Sequence, residues 1–334
     1  MKNTLLIFSI LIFLFSCNTT STDKKDLSKE SVKELTAQIK KDSLNIDLYK
    51  ERAFRYYQKH QLDSALQDYE KASTIDKNDM EVLLQLANIY LLKGKSEQSR
   101  QTLDECLKLE PNNTDALLKM GQLYYLIEDH IKSFEYLNNL LAVNPNKVET
   151  YFYKSMNYSA MGDTAKAIAE LQKAVAIDPD YFDAYLQLAL YSDAVGDTTA
   201  AIYYQYAIRI DTTNALAHYD LGMYYQEHKE FDKAFAQYDY ILEKIDSNFS
   251  TALYNKAYIY LVYLDSLEQA VSLFDKVTKI NFDYAEAYYN KAYALELMQK
   301  YKEAFVEYQT CLKIDPNFIQ AQKAIARIQD KVSL

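Results

Sequence analysis

Residues 176–185 read AIDPDYFDAY, and this stretch decides the fold. A small apolar run ends in Asp178-Pro179, and a new aromatic and acidic run starts two residues later. Proline has no N–H and cannot continue a helix, so Pro179 reads as a stop between two helices. The chain has only four prolines, and the other three sit in the same setting: KLEPNNTDAL (Pro111), AVNPNKVETY (Pro145) and KIDPNFIQAQ (Pro316). Pro111, Pro145 and Pro179 are spaced by 34 residues, and Pro316 follows by four such periods plus one. A fixed period of about 34 residues is the mark of stacked two-helix units.

Composition agrees with this reading. Five glycines in 334 residues are too few for a turn-rich sheet protein, so the expectation is all-α. An apolar content of 49% supports a packed body. The net charge of −10 argues against a nucleic-acid partner, because phosphate binding needs a basic face.

With the register set by the prolines, units start near Ile46, Met80, Thr114, Val148, Phe182, Ala215, Ser250 and Ala285. Small residues recur in each second helix at Ala65, Ser99, Ser133, Ala167, Ala200, Ala234, Ala270 and Ala304, where two helices must approach closely. Gly94, Gly162 and Gly196 share one repeat position, expected to end a first helix with positive φ. Gly121 and Gly222 share a second, otherwise filled by Ala53, Ala87, Ala189, Ala257 and Ala292, and read as close-packing sites. The pairs Asn78/Glu81, Asn112/Asp115, Asn146/Glu149, Asp180/Asp183, Asp283/Glu286 and Asn317/Gln320 have the spacing of a capping box at the next helix. One residue is missing before Ala200, and single extra residues enter in the sixth and seventh units.

These small and aromatic positions resemble the tetratricopeptide repeat, with tyrosine or leucine in place of its tryptophan. The resemblance covers residues 46–317 as eight repeats and implies a right-handed superhelical solenoid of helix-turn-helix units. Residues 27–45 read as an N-terminal half repeat, and residues 318–334 as a capping helix.

The N-terminus is a separate object. MKNTLLIFSILIFLFSC places Lys2 before an apolar run, Leu5 to Phe15, that is too short to span a bilayer and suits an export signal. LFSC resembles the lipobox of bacterial lipoproteins, which implies cleavage before Cys17 and its lipidation. Residues 18–26 would then be a polar tether. The resemblance implies a lipid-anchored protein of the bacterial envelope, at the outer membrane and facing the periplasm. The alternative is a plain secretory signal or short anchor with an incidental cysteine.

No catalytic or cofactor constellation emerges. Cys106 and Cys311 share a repeat position, read as small core residues, and lie too many units apart for a disulfide. His60, His130, His218 and His228 show no metal-ligand spacing, so no metal and no cofactor are expected. KGKS at 93–96 lacks the first glycine of a phosphate loop, since Ile89 stands there. An enzyme is therefore not expected.

The remaining candidate is a binding groove. In tetratricopeptide arrays, positions five and nine of each first helix line the concave face. Carried over, the resemblance names Phe152, Met156, Leu186, Leu190, Tyr219, Met223, Tyr254, Tyr258, Tyr289 and Tyr293 as partner-binding residues. The earlier units place Lys50, Phe54, Leu84, Asn88, Leu118 and Gln122 there. The cations that clamp a peptide carboxylate in chaperone-binding members are missing. An aromatic and methionine stripe edged by Asp193, Glu227 and Glu296 takes their place. Tyr254, Tyr258, Tyr289 and Tyr293 are expected to form a two-by-two patch. Positions five and nine also admit a core reading, since 32 tyrosines are spread through the chain. The function this implies is a membrane-anchored scaffold holding a protein or extended peptide in its groove. A glycan-binding protein of envelope polysaccharide handling is the alternative, because tyrosine faces also stack on sugars.

Overall fold

The computed structural model describes residues 27–332; the export-signal and tether readings, with Cys17, lie outside the described residues. Among the described residues there is no strand, and no helix is long and apolar enough to cross a membrane. The described residues divide into two compact units, the first ending at Ala116 and the second beginning at Leu117.

The first unit opens with a 3-10 turn, Leu27–Lys29, then α1 (Val32–Lys41), α2 (Ile46–Gln58), α3 (Leu62–Ile75), α4 (Met80–Leu92) and α5 (Ser96–Leu109). α1 carries a complete capping box: Ser31 Oγ accepts from the Glu34 N–H, and the Glu34 carboxylate accepts from the Ser31 N–H. Its Leu35 and Ile39 are buried against the following pair.

The boundary falls in α6 (Thr114–Leu126). The second unit continues with α7 (His130–Val143), α8 (Val148–Ala160), α9 (Thr164–Ile177), α10 (Phe182–Ala194), α11 (Ala200–Ile210), α12 (Ala215–Glu227) and α13 (Phe231–Tyr240). It ends with α14 (Ser250–Val262), α15 (Leu267–Ile280), α16 (Ala285–Leu297), α17 (Tyr301–Ile314) and α18 (Ile319–Val332). Even-numbered helices from α2 to α16 are the first helices of successive pairs, and the odd-numbered helix that follows each is its second.

Each pair closes on a small residue of the second helix. Ala65, Ser99, Ser133, Ala167, Ala200, Ala234, Ala270 and Ala304 are all at most 1% exposed. The two serines would be unsatisfied there, but Ser99 Oγ donates to the Ala87 carbonyl and Ser133 Oγ to the Gly121 carbonyl, both at 2.7 Å. Gly121 and Gly222 are forced by contact. A Cβ on Gly121 would lie 2.5 Å from Leu137 Cδ2, and one on Gly222 would lie 2.5 Å from Tyr238 Cε1.

The turn between the two helices of each pair passes through the left-handed region at Gly94, Gly162 and Gly196, with φ of 70°, 82° and 74°. His60, Glu128, Lys229, Asp265 and Gln299 take the same conformation without being glycine. The turn geometry is imposed by pair packing, so it persists where the residue disfavours it. Length irregularities are absorbed locally. α11 is 11 residues long against 14 in most second helices. The extra residue of the sixth pair widens the end of its second helix into a π-helical turn, Ile241–Ile245.

The seams between pairs correct the capping-box expectation. First helices start at Met80, Thr114, Val148 and Phe182, one residue later than those boxes require. The side chains that do cap are Asp79, Asn113 and Asn214, while Lys147, Tyr181 and Tyr284 at the same position make no cap hydrogen bond. At six of the eight seams the residue before the proline position organises the turn instead. Asp76, Asn144, Asp178, Asp211, Asp246 and Asp315 each accept the N–H two residues on, at 2.8 to 3.1 Å. A short acid or amide there closes an Asx turn, which leaves the N-cap position free for other residues.

Candidate functional site

The freed N-cap position determines what happens to position five of the preceding first helix. In the second unit that cap position is aromatic at Tyr181, Phe249, Tyr284 and Phe318. Each ring packs on a position-five ring of the helix before it: Phe152–Tyr181 at 5.8 Å between centroids, Tyr219–Phe249 at 5.9 Å, Tyr254–Tyr284 at 4.9 Å and Tyr289–Phe318 at 5.1 Å. In the first unit the same relation is electrostatic, with Lys50 Nζ 3.2 Å from Asp79 Oδ2. Position five is thus a joint between consecutive pairs.

Hydrogen bonds reinforce the joint. Asn255 Nδ2 donates to Tyr219 Oη at 3.2 Å and to Met223 Sδ at 2.8 Å, and Asn290 Nδ2 donates to Tyr254 Oη at 2.7 Å. Burial pushes the hydroxyls of Tyr219, Tyr254 and Tyr289 above the usual tyrosine range. Tyr289 also lies 5.6 Å from the fully buried Tyr308.

Position nine is different. Leu190 is 40% exposed and Tyr293 is 37% exposed, while Met223 and Tyr258 are half-buried. Met156 is the exception, buried and receiving the Tyr191 hydroxyl on its sulfur. Tyr258 stacks along its own helix on Tyr254 (6.4 Å, 18°), and Tyr293 on Tyr289 (6.4 Å, 2°). The four tyrosines therefore form two intrahelical pairs; the rings that join consecutive first helices are Tyr284 and Phe318. Leu186 packs half-buried among Leu221, Tyr204 and Tyr219.

The acids along this face are unequal. Arg327 of α18 donates to both oxygens of Glu296 at 2.8 Å, and the Tyr308 hydroxyl donates at 2.8 Å. These partners hold Glu296 below the usual carboxylate range although burial opposes it, so it belongs to the α16–α18 joint and not to an open edge. Asp183 and Asp220 are half-buried with no hydrogen bond or ion pair among the described residues, and burial raises both. Asp220 is pushed up to about 6. A cleft of about 540 Å³ is lined by Glu268 and Asp275 of α15, Lys291 and Leu295 of α16, and Glu307 of α17, with no position-five or position-nine residue in its wall.

Against this architecture, sequence profiles of the tetratricopeptide repeat match the chain in three forms. A profile described as TPR repeat matches residues 55–94 and 157–192, one described as tetratricopeptide repeat matches 285–318, and a second of that description matches 81–113 and 250–284. The chain is a tetratricopeptide-repeat protein.

Solved structures show the same fold. The C-terminal part of a TPR repeat-containing protein from Cytophaga hutchinsonii superposes with a TM-score of 0.63 at 19% identity, over 72% of this chain and 99% of that one. PilF of Pseudomonas aeruginosa gives a TM-score of 0.51 at 17% identity, over 60% and 91%. MamA of Desulfovibrio magneticus RS-1 aligns at 23% identity over 51% and 96%, with a TM-score of 0.43. No curated protein matches the sequence.

Proposed function

We propose that this protein is a non-catalytic scaffold that holds a protein or extended peptide against its first-helix face, the concave wall of a tetratricopeptide array. The observation that carries this is the division of labour along that face. Position five is consumed by the joints between pairs, while position nine leaves Leu190, Met223, Tyr258 and Tyr293 at least partly in water. Rigid amphipathic rings with an open face are favoured interface anchors. The export-type N-terminus, with Cys17 as its lipid-bearing residue, would tether this scaffold to the outer membrane of a bacterial envelope, facing the periplasm.

The test is selection of a displayed random peptide library on the full chain, followed by affinity measurement of selected peptides. Replacing both Tyr258 and Tyr293 with alanine is expected to weaken binding about 30-fold, the scale of two interface anchors, with the helical melt unchanged. Tyr124→Ala removes a buried ring and should do the reverse, lowering stability and sparing affinity. Failure to select any peptide, equal binding by the double variant, or its unfolding would each sink the reading. Competition by an oligosaccharide in place of peptide would redirect it to glycans.

A further inference from the structure

The repeat itself isolates one carboxylate. Asp220, Asn255 and Asn290 are the sixth residues of α12, α14 and α16. In the last two, the amide reaches back to the position-five tyrosine hydroxyl of the preceding first helix. For Asp220 the residue at that place is Leu186, which has no hydroxyl, and the N-cap residue beside it is Asn214, committed to the Ala217 N–H. The joint between α10 and α12 therefore lacks the tyrosine, the aromatic lid and the amide of the joints after it.

What stands there instead is an acid without a counter-ion among the described residues. Three cations of the surrounding helices are engaged elsewhere: Arg209 lies over the Tyr206 ring, Lys256 pairs with Asp239, and Lys233 with Glu230. Burial raises the hydroxyls of Tyr204, Tyr219 and Tyr238, and the nearby Asp220 charge raises them further. Its own helix presents Met223 one turn on, within the row of position-nine residues proposed to contact the partner. A half-buried carboxylate with no ion pair among the described residues, close to tyrosine hydroxyls, is a favourable setting for a basic side chain through charge pairing.

We propose that this joint binds an arginine or lysine of the bound polypeptide, with Asp220 as its counter-ion. The proposal rests on the groove reading and narrows it: the partner is a basic segment, in keeping with a host chain of net charge −10.

The test uses the full chain and the peptides selected as above. Basic residues should be enriched in peptides selected on the wild type and lose that enrichment on Asp220→Asn. Changing the enriched Arg or Lys of a selected peptide to Gln should weaken binding to the wild type about tenfold, and less than about twofold to Asp220→Asn, the coupling expected of a close charge pair. Asp220→Lys should instead favour the peptide with Glu at that place. Leu186→Tyr, which restores the hydroxyl found in the later joints, should also erode the preference for a basic residue. If the peptides bind and depend on Tyr258 and Tyr293 but carry no basic bias, or the bias survives Asp220→Asn, this inference fails while the groove reading stands. If no peptide binds, or binding ignores Tyr258 and Tyr293, both fail.

Discussion

Asp220→Asn should stabilise this protein at neutral pH and leave it unchanged in acid. The folded state raises the Asp220 carboxyl from its ordinary 3.8 to about 6, because burial penalises the charge. A group whose folded value lies above its unfolded value binds its proton more tightly in the folded state. Its favourable contribution is present below about pH 4 and is lost as pH rises through about 6. The rise corresponds to about 3 kcal/mol if fully expressed, and partial solvent access reduces this to about 1–2 kcal/mol. Asparagine carries no charge to desolvate, and it is the residue found at the equivalent places 255 and 290. Urea melts of the full chain at pH 4, 5, 6 and 7.5, followed by far-UV circular dichroism, would give the difference between variant and wild type at each pH. Hydrogen exchange of α12 would localise it, since a repeat array responds mainly through neighbouring units. A variant equal to or less stable than wild type at pH 7.5, or a gain of the same size at pH 4, would refute the reasoning. A gain at pH 7.5 alone would show the same carboxylate to be costly to the fold, and the groove reading makes it useful to a basic ligand, the usual tension at a binding site.

Gly222→Ala drives a methyl to 2.5 Å from the Tyr238 ring, which is fully buried and held by hydrogen bonds to Gln226 and Asn255. A loss of about 1–3 kcal/mol is expected from overpacking, with increased hydrogen exchange centred on α12 and α13; wild-type exchange there would show that the ring moves freely. Gly162→Ala meets no atom within 4 Å, so its expected loss of about 1 kcal/mol in urea melts is the backbone cost of φ +82° alone. Cys17→Ser is expected to release the protein from the membrane fraction or leave its signal uncleaved, and wild-type fractionation and migration would dismiss the anchor.

Much of the architecture is legible in the chain because its causes are local. Prolines at 111, 145 and 179, spaced by 34 residues, stop a helix wherever they stand, and a small residue at a crossing marks where two helices touch whatever surrounds them. The starts of the first helices, the crossing positions and the glycine turns at 94, 162 and 196 all follow from such signals. Other features needed the tertiary structure, because they depend on which side chains meet across pairs. Non-glycine residues at 60, 128, 229, 265 and 299 adopt positive φ since packing imposes the turn against local preference. Tyr254 and Tyr258 are chemically identical and one turn apart, yet only Tyr254 has the Tyr284 ring 4.9 Å away and the Asn290 amide on its hydroxyl. No periodicity distinguishes a tyrosine that joins two repeats from one that faces water. Nor does it show that Glu296 meets Arg327 while Asp220 meets no cation among the described residues, since pairing over such distances along the chain exists only once the helices are stacked.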